Sequence, residues 1–565
     1  MKTLYSSLLS LLRHKPLRAF LIAACLAACT PSELPKDPPV NNEDTSVMDT
    51  PVDTADVNDT PTYIGPIAEE DAFTAVRNMK VGWNLGNTLD SHDANGTDGD
   101  DWRKWETYWG QSVTRPELMH MMKAAGFDAI RVPVTWGIHM DADGKVYPSW
   151  MNRVREVVDY VLDAGMYCIL NVHHDTGAGD GVWLIADPDV YQQQKARYEG
   201  LWRQIAEEFK GYGEKLLFES YNEMLDTSRS WCFASSNIGY DQTEAMEAYQ
   251  AINSYAQSFV NVVRSTGGNN AVRNLVVNTY GACSGGGTWN THLKDPLIHM
   301  ALPEDSVDNH LIFQIHSYIS VKHIPSTKAE IDDMFQALNT HLVAKGAPVI
   351  IGEWGTYNDN DENDYLVRRE NCLEFADYFV RNAKEMGFGT FFWMGISDGH
   401  ARTVPVFSQP DLAETIVKAY HGEAFSSVYP TMDDYEFDYV VTYNQLWSEL
   451  TIAPTGLSSD IYSYVRLTLD KEPEAGRLQV KLYGYGAKED YPGIKIGKIT
   501  NIPLANSNIG KVCERMTLQY MSEIVPYSVR ITDVTLIRKD GTEEKSSVSS
   551  FWGCSVDLEA RKKVR

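Results

Sequence analysis

Two glutamates stand out by what precedes them. Val349-Ile350-Ile351 runs into Gly352-Glu353-Trp354-Gly355, and Leu216-Leu217-Phe218 leads towards Ser220-Tyr221-Asn222-Glu223. A short apolar run of this kind reads as a strand buried on both faces, as in a parallel sheet. A carboxylate just past the end of such a strand sits where α/β proteins place their reactive groups. Two carboxyl groups on different strands can divide the work of an acid and of a nucleophile or base. That is the pair that cleavage of a glycosidic bond requires. The bland alternative for either residue is a surface carboxylate, but apolar strands place both inside the rim of a sheet.

The segments around them repeat one unit: an amphipathic helix, a glycine, then a short apolar strand. Thr114-Arg115-Pro116-Glu117 reads as a capping box with proline in the first turn. Leu118, Met121, Met122 and Ala125 share one helical face; Gly126 ends that helix and Ala129-Ile130-Arg131-Val132 follows as strand. Val154, Val157, Val158, Val161 and Leu162 mark the next helix, stopped by Gly165 before the strand Tyr167 to Val172. Later copies pass through Gly346 into Val349-Ile350-Ile351, and through Gly387 into Thr390-Phe391-Phe392-Trp393. With Val81 to Leu85, Leu275 to Thr279 and Leu311 to Ile315, about eight strands alternate with helices, which predicts a (β/α)8 TIM barrel over residues 67–425. A doubly wound open sheet would need a glycine-rich phosphate loop after the first strand, and none is present.

A barrel collects the ends of its strands on one face. The polar or aromatic residues there are Asn84, Asn87, Arg131, His173, His174, Asn222, Glu223, His316, Tyr318, Glu353 and Trp393. Any one of them could be a hydrogen-bonded structural group. So many strands ending this way is not a packing requirement.

Gly82-Trp83-Asn84-Leu85-Gly86-Asn87-Thr88-Leu89-Asp90 resembles the opening motif of glycoside hydrolase family 5, in particular its broad endo-β-glucanase subfamily 4. The resemblance continues through Tyr108-Trp109-Gly110, Ile130 to Trp136, Asn171-Val172-His173-His174-Asp175, Asn222-Glu223, His316-Ser317-Tyr318 and Gly352-Glu353, covering roughly residues 67–422. It implies a retaining hydrolase of internal β-1,4-glucosidic bonds in plant cell-wall β-glucans, with no cofactor. It implies Glu223 as acid/base and Glu353 as nucleophile. Asn222 would hold the sugar 2-hydroxyl, while Arg131 and Tyr318 orient Glu353. His173 and His316 would line the sugar site over an apolar floor made by Trp393, and Asn84, Trp136 and His174 complete the expected substrate-binding set. Met224-Leu225 stands where many relatives have proline after the acid/base, and Trp354 where phenylalanine is common; both bear on substrate preference. Mannan- or xyloglucan-specific hydrolysis is the alternative within enzymes. A non-catalytic glycan-binding surface protein is the alternative outside them, although it would not need a complete acid and nucleophile.

The remaining sequence sets the context. The chain has 565 residues and a net charge of −27, which disfavours nucleic acid and anionic lipid surfaces and is neutral towards an uncharged polysaccharide. Residues 1–29 read as an export signal, with a basic start and an apolar stretch from Ala19 to Ala28 that is too short to span a membrane. It ends Leu26-Ala27-Ala28-Cys29, which resembles the lipobox of bacterial lipoproteins and implies lipidation at Cys29 and a place on the outer membrane of a Gram-negative cell. A plain secretory signal is the other reading. Residues 30–66, rich in Pro, Asp, Thr and Asn, read as a tether. A monomer is expected. Among the six cysteines from Cys168 onward no pair has zinc-ligand spacing, and Asp359 to Asp364 lacks the ligand pattern of a calcium loop. Cys232 with Cys283, and Cys513 with Cys554, could form disulfides, whereas Cys168 lies in a strand and reads as buried and free. Of the loop residues Trp102, Trp105, Trp109, Trp136, Trp183, Trp231 and Trp289, some are expected to stack on sugars and others to pack the loops. Residues 426–565 change to a period of two, as in Val465, Leu467, Leu469 and in Leu478, Val480, Leu482, with a hairpin turn at Asp540-Gly541. This predicts a β-sandwich, which would be either an accessory carbohydrate-binding module or a structural domain packed on the barrel.

Overall fold

The computed structural model describes residues 61–93, 101–356, 369–453, 456–485, 488–506, 508–546 and 548–562. The expected export signal, Cys29, most of the tether and the acidic run Asp359 to Asp364 lie outside them. Eight parallel strands close into a barrel in chain order: β1 (Val81–Asn84), β2 (Ala129–Val132), β3 (Tyr167–Asn171), β4 (Leu216–Glu219), β5 (Leu275–Asn278), β6 (Leu311–Ser317), β7 (Val349–Trp354) and β8 (Gly389–Trp393), with β8 pairing back onto β1. The expected TIM barrel is therefore present.

The interior changes character within one step of the pleat. Ala129, Ile169, Leu217, Val276, Ile312 and Ile350 make an apolar layer with Phe391. Two residues on, and so on the same side of each strand, stand Arg131, Asn171, Glu219, Asn278, Gln314 and Gly352, all buried. The helix Ala72–Met79 closes the lower end by adding Ala72, Ala75, Val76 and Met79 to the apolar layer. Asp71 caps that helix by accepting from Thr74 N at 2.7 Å. Each Leu or Ile buried in this plug contributes about 1.5–3 kcal/mol, which keeps water out from beneath the polar layer.

Outside the strands, the helix Pro148–Asp163 buries Val154, Val157, Val158, Val161 and Leu162, as its spacing predicts. Gly126 takes a left-handed conformation at the end of the helix Pro116–Ala125. The capping box expected at Thr114 does not form. The helix begins at Pro116 without a side-chain cap, because the buried carboxylate of Glu106 takes the Thr114 N–H at 2.7 Å and ties it to Arg153. Nor do residues 61–66 hang free as part of a tether. Ile64 bridges Tyr212, Gly65 N donates to Gly211 O at 3.0 Å, and Tyr63 packs on Tyr212 with ring centroids 5.7 Å apart. This strap lies on the loop that precedes β4, at the closed end of the barrel.

Beyond the barrel come β9 (Tyr435–Tyr443), β10 (Glu449–Ala453), β11 (Leu457–Ser458), β12 (Tyr462–Leu469), β13 (Leu478–Gly484), β14 (Lys488–Asp490), β15 (Ile499–Pro503), β16 (Val512–Cys513), β17 (Arg515–Tyr520), β18 (Tyr527–Arg538), β19 (Glu543–Lys545), β20 (Ser549–Trp552) and β21 (Cys554–Lys562). They form a five-stranded sheet, β14-β13-β17-β10-β20, and a six-stranded sheet, β15-β12-β18-β9-β21, with Val465, Leu467, Val480, Leu482, Leu450 and Leu518 in one shared core. Met432, Tyr435 and Leu558 pack against Ala401, Val404 and Val406, which follow β8. None of the six cysteines from Cys168 to Cys554 is joined in a disulfide. Cys513 and Cys554, considered as a bridge, donate separately to Arg515 O and Glu449 O, each at 3.2 Å.

Candidate active site

Arg131 organises the polar layer. Its five N–H donors all have acceptors: Glu219 Oε2 at 2.6 Å, Glu219 Oε1 at 2.7 Å, Asn84 Oδ1 at 3.1 Å, Glu353 Oε1 at 2.8 Å and Asn222 Oδ1 at 2.9 Å. Asn171 and Asn278 add hydrogen bonds to Glu219 Oε1 at 3.1 and 3.3 Å. Burial alone would raise the Glu219 carboxyl, but Arg131 and Asn171 hold it below the usual range. It is a fixed anion.

Glu353 reaches the top of this layer through an irregularity in β7. Pairing shifts between Ile315 and His316 on one side and between Ile351 and Trp354 on the other. A local bulge of this kind re-aims a side chain. Gly352 lets β7 pass close to β6, since a Cβ would lie 2.3 Å from the end of the Gln314 side chain and displace it, and its carbonyl accepts from Asn84 Nδ2 at 2.9 Å. Tyr318 donates to Glu353 Oε2 at 2.7 Å, so both carboxylate oxygens are held. Burial pushes the Glu353 carboxyl above its usual range, against the pull of His316, Arg131 and Tyr318.

Glu223 follows β4 and is the more open of the pair, with 22 % of its side chain exposed against 6 % for Glu353. His316 Nδ1 lies 2.8 Å from Glu223 Oε1 and 3.5 Å from Glu353 Oε2. The facing oxygens of the two glutamates are within 4.8 Å of each other. Two carboxyl groups this close leave no room for a water between nucleophile and sugar carbon. His173 pairs through Nδ1 with Asn171 at 3.0 Å, and its ring lies parallel to Trp393 with centroids 5.8 Å apart. Burial, with His174 and Arg131 close by, holds the His173 imidazole well below its usual range, so it is neutral. Trp393 is partly exposed on the adjoining wall.

The structure thus gathers Arg131, His173, Asn222, Glu223, His316, Tyr318, Glu353 and Trp393. His174 stands one step aside, 3.7 Å from Asp90 and 5.2 Å between centroids from Trp109. Two expected substrate contacts are corrected. Asn84 is fully buried and directs its amide to Gly352, Phe391 and Phe392 carbonyls and its oxygen to Arg131. Trp136 is fully buried and donates to Asn171 O at 2.8 Å, so it supports β3 and has no surface to offer a sugar. Met224, Leu225 and Trp354 are likewise core residues. Among the loop tryptophans, Trp105 is buried, whereas Trp231 and Trp289 expose 42 % and 61 % of their surface.

Glu219 and Asp175 were not singled out in the sequence. Asp175 ties the loop after β3 to the loop after β2 by accepting from Trp136 N, Gly137 N and Trp183 Nε1 at 2.6–2.9 Å. Two sets of side chains come close enough to share a cation, Asp90-His173-His174 and Glu223-His316-Glu353. In the first, Asp90 accepts from Asn87 N and Thr88 N at 3.1 and 2.8 Å; in the second, His316 Nδ1 pairs with Glu223 at 2.8 Å.

Comparison with known proteins places this geometry. The model of the cellulase family, glycosyl hydrolase family 5, matches residues 92–399. Endoglucanase B of Ruminococcus albus is 33 % identical over 347 residues, covering 60 % of this chain and 75 % of that protein. A broad-specificity endoglucanase of subfamily 4 from an uncultured bacterium superposes with a TM-score of 0.61 at 56 % identity, over 63 % of this chain and 98 % of the other. A family 5 enzyme from Prevotella bryantii B14, solved as a mutant in complex with a xyloglucan tetradecasaccharide, gives 0.57 at 40 % identity, over 63 % and 100 %. The family match ends before the C-terminal sheets begin at Tyr435.

Proposed function

The chain belongs to glycosyl hydrolase family 5 and is an endo-β-glucanase; from that premise we propose that Glu353 attacks the anomeric carbon and Glu223 transfers the proton. The observation that carries this assignment is Glu353 held by Arg131 and Tyr318 within 4.8 Å of Glu223. Glu223, protonated, gives its proton to the departing glycosidic oxygen as the Glu353 oxygen bonds to carbon. The glycosyl ester cancels the negative charge on Glu353. Glu223, now a carboxylate, takes a proton from water, and the resulting attack on the anomeric carbon frees Glu353 with net retention. In this reading Asn222 and His173 hold sugar hydroxyls, and Trp393 offers an indole to the apolar face of the sugar.

The substrate is proposed to be a soluble β-1,4-linked glucan backbone, including xyloglucan and mixed-linkage glucan. The breadth is supported by the broad-specificity title of one neighbour and the xyloglucan bound to another. Hydrolysis of mannan in preference to all glucans would overturn it, and a reducing-sugar assay across these polymers decides. Proton NMR of the first product tests the mechanism: a β-anomer is expected, and an initial α-anomer means inversion. Glu353→Gln should abolish turnover, and Glu223→Gln should keep activity on substrates with good leaving groups and gain more with azide.

The chain is further proposed to be lipidated at Cys29 and carried as a monomer on the outer membrane, on the strength of Leu26-Ala27-Ala28-Cys29 and the Pro- and Asp-rich stretch after it. Mass spectrometry of the mature N-terminus should find acylated cysteine. An unmodified residue of another type there excludes the anchor.

A further inference from the structure

The five-stranded sheet turns one face to the sandwich core and the other outward. Register places Gln479 beside Gln519, Gln519 beside Glu449, and Tyr483 beside Arg515 on that outer face. Glu449 is only 6 % exposed at its centre. It accepts from Tyr483 at 2.6 Å, Gln519 at 2.8 Å and Thr517 at 2.9 Å, with Lys481 at 3.4 Å. Gln479 donates to Gln519 Oε1 at 2.6 Å, and among the described residues no donor reaches Gln479 Oε1. Next to this cluster, Arg515 lies 3.8 Å from the Phe551 ring centroid, and the Tyr483 and Phe551 centroids are 6.1 Å apart. Phe551 and Trp552 expose 42 % and 51 % of their surface. Among the described residues, no hydrogen bond ties these side chains to the barrel.

Folding of the sandwich does not call for this arrangement. Its core is complete on the other side of the sheet, and a nearly buried ion pair is at best neutral for stability against apolar residues of the same volume. What the cluster does is hold the partly exposed Gln479, Tyr483 and Arg515 in set orientations beside the exposed Phe551 and Trp552, on a buried layer of Glu449, Thr517, Gln519 and Lys481. We propose that the outer face of the five-stranded sheet is a second glycan site, which holds a β-linked glucan chain while the barrel cuts it. Lys481 stands between Glu449 and Glu489, at 3.4 and 3.1 Å, and with Arg515 the two cations balance the two carboxylates, so the patch offers no net charge to an ionic polymer, and the chain's charge of −27 opposes a polyanion. Sugar hydroxyls both donate and accept, which suits the partly exposed Gln479 amide, while the C–H face of a pyranose suits Phe551 and Trp552. A protein partner would call for an apolar centre with charges at the rim, the reverse of what is found. The identity of the polymer rests on the barrel's reading as a glucanase.

Affinity electrophoresis of the full chain carrying Glu353→Gln, in gels containing soluble xyloglucan or mixed-linkage glucan, tests this. Adding Phe551→Ala or Gln479→Ala should weaken retardation at least fivefold. Phe551 is exposed, so its variant should melt with its parent. In the active chain the same substitutions should leave hydrolysis of a short chromogenic oligosaccharide unchanged and slow that of the polymer at low concentration. Retardation unaltered by both substitutions, or no retardation of the parent in either glucan, overturns the proposal. Failure of the barrel's reading looks different: no β-glucan is hydrolysed by the active chain, yet retardation still depends on Phe551.

Discussion

Arg131 has a partner for each of its N–H groups, and two of the five hydrogen bonds go to a carboxylate that never meets substrate. Glu219 therefore acts through Arg131, as a positioning residue. Glu219→Gln leaves a buried cation short of charge, and loss of one partner in a buried ionic network costs about 3–5 kcal/mol. Chemical denaturation should show a loss of that order, along with a fall in kcat at unchanged KM. A variant as stable and as active as its parent would remove Glu219 from the machinery. Tyr318 gives a test by pH. Glu353 works as the carboxylate, and burial already raises its pKa while the Tyr318 hydroxyl lowers it. In Tyr318→Phe that lowering is lost and the pKa rises further. The acidic limb of kcat/KM should then move to higher pH, with the alkaline limb less affected. An acidic limb that stays in place would mean that Tyr318 does not tune the nucleophile.

At the scale of elements, β7 shows how one irregular strand can set a site. Gly352 lets the chain bulge against Gln314, and Glu353 emerges pointing into the barrel mouth. Gly352→Ala forces a Cβ against the buried end of the Gln314 side chain, which must swing aside, an overpacking cost of about 1–3 kcal/mol. Misplacement of the nucleophile by even 1 Å should cut kcat about 100-fold, measurable with a chromogenic glycoside beside a thermal melt. A variant that loses stability but keeps its kcat would show that the bulge does not aim Glu353. The barrel strands were legible because each is an apolar run bounded by a glycine or a polar residue. Glu353 was legible because it follows its run. Glu219 was missed because it closes the run Leu216-Leu217-Phe218 and reads as the strand's solvent end. The signal was there in the period of two: Leu217 and Glu219 share a side, as do Ile169 and Asn171. Asn84 and Trp136 were expected as substrate contacts from motifs they share with a family, and a motif does not say how high above the polar layer a side chain stands. The capping box at Thr114 failed for a different reason, a distant carboxylate that local spacing cannot reveal.

At the scale of the molecule, the barrel is held at both ends of its sequence. Residues 61–65 bind the loop before β4, and the segment after the last barrel helix rises past Ala124 and Ala125 to bring Pro430 against Phe407. Deleting residues up to 66 should lower stability by about 1–2 kcal/mol, the loss of a few packed residues and backbone hydrogen bonds. Turnover should survive, because the strap meets the end of the barrel that the helix Ala72–Met79 seals. Loss of activity without loss of stability would link that end to the chemistry.

That attachment point also gives the enzyme an orientation. Glu223 and Glu353 open at one end of the barrel axis, and the chain enters at the other. On a cell held by the proposed lipid, a pull on the strap would draw the sealed end towards the bilayer and turn the catalytic mouth outward. A long polysaccharide could then lie across the mouth parallel to the cell surface, with neither end having to pass between enzyme and membrane. Attack within the chain, and not at its tips, is the mode of cutting that such a posture favours.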